Sequence, residues 1–140
     1  MIYFKPIPMQ IFKHIKFFIL VLIIPIVFSN CNSEEECLTS IPGHISSTNT
    51  PATGVINKTI PIEVVFEGNN SCCEFGFFED SQQENIVTIK VIAFYKGCLC
   101  FDYLPSIKTT YNFKATNPGT YYLKFYRSEN TYLTDTIIIH

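Results

Sequence analysis

Residues 37–140 read as an all-β chain that folds as a single antiparallel two-sheet sandwich of about seven strands. Three observations predict this. Apolar residues recur at every second position, the period of a strand with one buried face, and no 3.6-residue pattern survives beyond residue 30. The apolar runs are dominated by β-branched and aromatic residues, in a chain with 13 Phe and 8 Tyr. Turn-forming residues interrupt the runs at short, even intervals. The 140 residues suffice for one core of ordinary size, and a hydrophobic share of 47% excludes a disordered chain. A net charge of −2 leaves no electrostatic footprint for nucleic acid.

The elements follow in order. The stretch 37–56 is rich in Ser, Thr, Pro and Gly, and it predicts one short strand near 44–47 and otherwise loop. Ile60, Ile62, Val64 and Phe66 then alternate with Pro61, Glu63 and Glu67 before a turn at Gly68-Asn69-Asn70. Phe75 and Phe77, two residues apart, are expected on one face of the next strand. A long strand over 84–95 carries Val87, Ile89, Val91, Ala93 and Tyr95 on one side. Its other side (Ile86, Thr88, Lys90, Ile92, Phe94) is only partly polar, which marks a central strand. Three eight-residue strands close the chain over 107–114, 120–127 and 132–139. Asn117-Pro118-Gly119 and Ser128-Glu129-Asn130 separate them as turns.

The first thirty residues have a different character. Lys13, His14 and Lys16 precede a 12-residue apolar run from Phe17 to Phe28 that contains Pro25. A spanning helix needs about 20 apolar residues, whereas a secretory signal needs only about 7–15 after a positive flank. Residues 1–30 are therefore read as a cleaved signal peptide, the alternative being an uncleaved N-terminal anchor. Phe28-Ser29-Asn30-Cys31 resembles the lipobox of bacterial lipoproteins, although Phe28 and Asn30 depart from its strict form. Cys31-Asn32-Ser33-Glu34-Glu35-Glu36 is similar to the acidic export signal that follows the lipidated Cys in Bacteroidota lipoproteins. The resemblance implies lipidation at Cys31 and a tether over 31–36, with Glu34, Glu35 and Glu36 directing export. It also implies attachment to the outer membrane through that lipid, at the cell surface or, alternatively, on the periplasmic face. Otherwise Cys31 is an ordinary disulfide cysteine and the three Glu a polar linker.

A second resemblance concerns the fold of residues 37–140. Tyr111-x-Phe113 followed by Pro118-Gly119-Thr120-Tyr121-Tyr122-Leu123 is similar to the penultimate hairpin of bacterial extracellular Ig-like and PKD-like domains. It implies that an aromatic at the start of the later strand plugs one end of the sandwich. The chain has no Trp, so Phe75 or Phe77 would fill the place of the buried strand-C Trp of antibody-type domains.

An exported chain meets oxidant, which makes disulfides the default for its six cysteines. At least one bridge is expected from Cys72 or Cys73 to Cys98 or Cys100, because both pairs border the same central strand. With Cys31 lipidated an odd number remains, and Cys37, beside the tether, is the candidate free thiol. A thiolate site for Zn²⁺ or Cu⁺ is the weaker alternative, since Cys-Cys with Cys-x-Cys lacks the usual spacing. No metal or cofactor is therefore assigned.

No catalytic motif occurs. His44 and His140 belong to no triad, and Glu74, Glu79, Asp80 and Asp102 could supply paired carboxylates for glycoside hydrolysis, although acids at strand ends are usually just solvated. The sequence thus predicts a non-enzymatic binding or spacer module at the cell envelope, with an unknown protein or glycan as ligand. One alternative is an accessory subunit that pairs an edge strand with a larger partner. A small secreted hydrolase or protease inhibitor is the other.

Overall fold

The computed structural model describes residues 37–140; the signal segment, Cys31 and the acidic run at Glu34, Glu35 and Glu36 lie outside them. Nine strands form from these residues: β1 Leu38–Pro42, β2 His44–Asn49, β3 Thr53–Gly54, β4 Ile60–Glu67, β5 Cys73–Gln83, β6 Ile86–Lys96, β7 Ser106–Phe113, β8 Gly119–Ser128 and β9 Thr131–Ile139. They make an all-β sandwich. The larger sheet runs β1-β6-β8-β9-β3 with β5 on the other edge of β6, and the smaller runs β2-β4-β7. β1 and β8 share one edge of β6: β8 pairs with residues 86–89 and β1 with 92–96.

Alternation builds the core. Ile60, Ile62, Val64 and Phe66 of β4 meet Val87, Ile89, Val91 and Ala93 of β6, together with Leu123, Phe125, Ile137 and Ile139 from β8 and β9. Among the described residues the fully buried side chains are aliphatic or aromatic and none is charged, so the sheets are held chiefly by area removed from water. Polar ties close the two open sides. The Tyr111 hydroxyl of β7 donates to Asp80 Oδ2 of β5 at 2.7 Å, with its ring edge-on to Phe78. On the opposite side Thr48 and Thr50 donate to Asp135 Oδ2 at 2.7 and 2.5 Å. Tyr121, buried at the start of β8, packs edge-on against Phe113 and donates to the Asn117 carbonyl at 3.0 Å. It plugs that end of the sandwich.

Four expectations are corrected. The stretch 37–56 is not loop around one short strand, since β1, β2 and β3 cross from the large sheet to the small one and back. Gly43 permits the first crossing: its N–H bonds the Val91 carbonyl, and a Cβ there would stand 2.8 Å from the Phe66 ring. Phe75 and Phe77 lie on opposite faces, because a bulge at Gly76 inserts one residue between their partners Ala93 and Ile92. Neither is buried, so neither fills the place of a strand-C Trp. Glu84 and Asn85 form the β5–β6 hairpin turn rather than opening β6, with Glu84 left-handed at φ 53°. The large sheet is also not wholly antiparallel, since β6 pairs β8 and β3 pairs β9 in parallel. One strand, β7, separates β6 from β8 and lies in the other sheet, so β8 returns in the direction of β6.

Truncating the fully buried ring in Phe66→Ala should lower stability by about 3–5 kcal/mol in urea unfolding. Tyr111→Phe should remove about 1 kcal/mol. Burial, together with the hydrogen bond and charge of Asp80, pushes the Tyr111 phenol far above its ordinary range. The folded state thus holds the phenolic proton more tightly. That contribution is complete below the ordinary phenol value near 10 and is lost as pH rises above it. The alkaline fall in stability should be shallower in Tyr111→Phe.

Candidate functional site

Each sheet buries one face, and the two outer faces differ. Register places Glu63 beside Thr110, Val65 beside Lys108 and Pro61 beside Asn112 on the outside of the small sheet. That surface is polar, with a Lys108–Glu63 ion pair at 2.9 Å. The large sheet instead turns aromatic rings outward. Phe77 lies beside Ile92, Tyr122 beside Ile86 and Thr136, and Tyr126 beside Tyr132. Phe77, Tyr122 and Tyr132 are exposed. Tyr126 and Tyr132 meet edge-on at 6.2 Å, and Phe77 meets Phe94 at 6.0 Å. Lys90 Nζ and Lys124 Nζ stand 5.8 Å from the ring centroids of Tyr126 and Tyr132. The result is an aromatic patch set among Thr88, Thr134 and Thr136. It can stack on a planar ligand surface while hydroxyls and ammonium groups bond its polar rim.

The second feature is the end of the sandwich between β6 and β7. Cys37 bonds to Cys98 and Cys72 to Cys100, with Cα separations of 5.1 and 5.5 Å. The second bridge is of the expected kind. The expectation that Cys37 is the free thiol is corrected: β1 runs antiparallel to β6 with Leu38 opposite Lys96, which carries Cys37 to Gly97 and Cys98. The Gly97 N–H bonds the Cys37 carbonyl at 2.9 Å. Among the described residues the free thiol is Cys73, which is buried. Cys72 lies in the turn before β5, its N–H bonded to Asn70 Oδ1, and reaches its bridge there, while Cys73 opens the strand and is buried in the core. Burial pushes the Cys73 thiol up, a hydrogen bond with Tyr95 opposes this, and the Glu74 carboxylate adds to it.

Beside the bridges a depression of about 290 Å³ is lined by Thr39, Ile41, Asn69, Asn70 and Tyr95 with Cys37, Gly97 and Cys100. The loop that follows presents Leu99, Phe101, Tyr103 and Leu104 to solvent. Composition and period did not point to either surface. The signal available was the aromatic content of alternate positions in β8 and β9 and the apolar run after Cys98.

The carboxylates considered for paired chemistry are not brought together. Glu74 pairs with Lys96 at 3.0 Å and Glu79 with Lys90 at 3.8 Å, while Asp80 accepts from Tyr111 and Asp102 stands in the exposed loop. Glu79 and Asp80 border a depression of about 130 Å³. His44 Nδ1 lies 2.8 Å from the Arg127 carbonyl, which makes the ring nitrogen a donor there, and His140 is exposed at the end of β9. Among the described residues no three His, Cys, Asp or Glu side chains gather as a metal-binding group. Comparison with protein-family models, curated proteins and solved structures yields no match.

Non-reducing peptide mapping should recover the 37–98 and 72–100 bridges and should find Cys73 alkylated only after unfolding. Removing each bridge as a double Cys→Ala variant should cost about 4 kcal/mol for the longer loop and about 3.5 for the shorter, by chain entropy.

Proposed function

We propose that the chain is a membrane-anchored lipoprotein of the cell envelope whose sandwich is a non-enzymatic binding module. Its ligand surface is the aromatic outer face of the large sheet. The observation that carries the reading is Cys31 directly after a signal-like apolar run and ahead of three Glu. The ring platform on one sheet, set against the polar face of the other, supports the binding role. The hairpin resemblance and the plugging Tyr121 favour kinship with Ig-like domains. A second reading, an accessory subunit, draws on β5: among the described residues its 11 residues pair with β6 alone, which makes it an edge strand suited to strand addition.

Replacing Cys31 with Ala should abolish incorporation of an alkyne fatty acid and leave the precursor at full length. Label equal to that of the unaltered chain rules out the anchor. On the domain, Tyr122→Ala with Tyr132→Ala should lose retention on immobilised envelope glycans or on an envelope protein partner while thermal unfolding changes little. Both side chains are exposed, and surface changes are usually within about 0.5 kcal/mol. Unchanged retention by the double variant, with charge reversal along β5 abolishing it, would favour the subunit.

A further inference from the structure

The tip between β6 and β7 breaks the pattern of the rest of the surface. Leu99 is 95% exposed and Phe101 81%, with Tyr103 and Leu104 at 62% and 63%. Four large apolar side chains within six residues face solvent, an arrangement a water-facing loop avoids. The loop is also held in place. Cys98 and Cys100 flank Leu99 and are bonded to Cys37 and Cys72, the Phe101 N–H bonds Ser71 Oγ at 2.8 Å, and the Phe101 carbonyl accepts from Ser71 N–H at 3.1 Å. A loop that merely failed to bury its side chains has no need of this bracing.

The same bridge fixes where the chain enters the domain. Cys37 is bonded to Cys98, so the segment from Cys31 joins the sandwich at this tip. Six residue steps separate Cys31 from Cys37, a reach of at most about 20 Å even when fully extended. Whatever surface holds a lipid on Cys31 therefore lies within about 20 Å of Cys37, whose Cα stands 5.1 Å from that of Cys98 at the base of the tip. Between Gly97 and Ile107 the chain has no Lys or Arg and one acid, Asp102. An aliphatic and aromatic cluster with a tyrosine hydroxyl suits the boundary of headgroups and acyl chains, and within this run it is apolar contact rather than cationic charge that would hold it there.

We propose that the disulfide-braced tip, through Leu99, Phe101, Tyr103 and Leu104, rests in the interfacial layer of the membrane that carries the lipid anchor. This rests on the anchor at Cys31. The tip then acts as a second contact that fixes the orientation of the domain, in addition to the lipid that fixes its location.

The sequence contains no Trp, so one introduced Trp reports on its own surroundings. The full lipidated chain with Phe101→Trp is reconstituted into phosphatidylcholine vesicles whose acyl chains are brominated or not. Emission should shift to the blue on vesicle binding and lose intensity in the brominated vesicles. A Tyr122→Trp chain, with its probe on the aromatic sheet face, should keep its intensity in both. An unquenched residue 101 in vesicle-bound protein overturns the proposal, as does a blue shift without quenching in a tip-to-tip dimer of two copies. Fatty-acid labelling of the same samples reads the anchor separately. Should the chain carry no lipid, quenching at saturating vesicle concentration still supports the tip contact, and its absence overturns it.

Discussion

The fold depends on one constraint: among the described residues each sheet has a single partner, with no helix and no third layer. The main apolar core lies between the six-stranded and three-stranded sheets, where no charged side chain is buried among the described residues. The alternation of β4, β6 and β8 serves this one interface. The outer faces take no part in it, so their composition is free to differ. The small sheet uses that freedom for Glu, Lys and Thr, whereas the large sheet displays rings.

The sandwich has two open sides, and each is closed the same way. A carboxylate of the large sheet, Asp80 or Asp135, accepts hydroxyl hydrogens from the small sheet. These bonds stand where water reaches the rim of the core, so neither carboxylate is stripped of solvent to make them. Their geometry fixes how far one sheet can slide over the other, a restraint that non-directional apolar contact does not supply.

Much of this was legible in the sequence. The all-β class, the inward faces of β4 and β6, and the turns at Asn117-Pro118-Gly119 and Ser128-Glu129-Asn130 follow from periodicity and turn chemistry, because each is set by neighbours in the chain. What escaped depends on distant partners. Leu38, Thr39, Ser40 and Ile41 read as loop, yet β1 is a strand because β6 offers an edge beyond the end of β8. The rings of Phe75 and Phe77 part because Gly76 bulges, and a glycine in a strand signals a bulge without stating which ring turns outward. Cys37 reads as the spare thiol in the sequence, whereas the pairing of β1 with β6 carries it to Cys98. The binding surfaces were harder still: Tyr122 and Tyr132 share a face only after β8 and β9 pair in register, and Leu99 and Phe101 count as exposed only against a finished core.

The Cys37–Cys98 bridge has a mechanical meaning. A pull on the chain ahead of Cys37 does not run through β1 and the strands after it. The sulfur–sulfur bond passes the tension straight to Cys98, and the 61 positions it spans drop out of the loaded path. The strands β1 to β6 therefore lie outside the covalent load path while the bond holds, and β4 and β6 meet the load only through their pairing with β7 and β8. Load is carried by the later strands β7, β8 and β9, and β9 shares its outer edge with β3, a part of the shielded segment. A domain held at one end against flow would keep the segment between Cys37 and Cys98 out of the covalent line of tension until the bond was reduced.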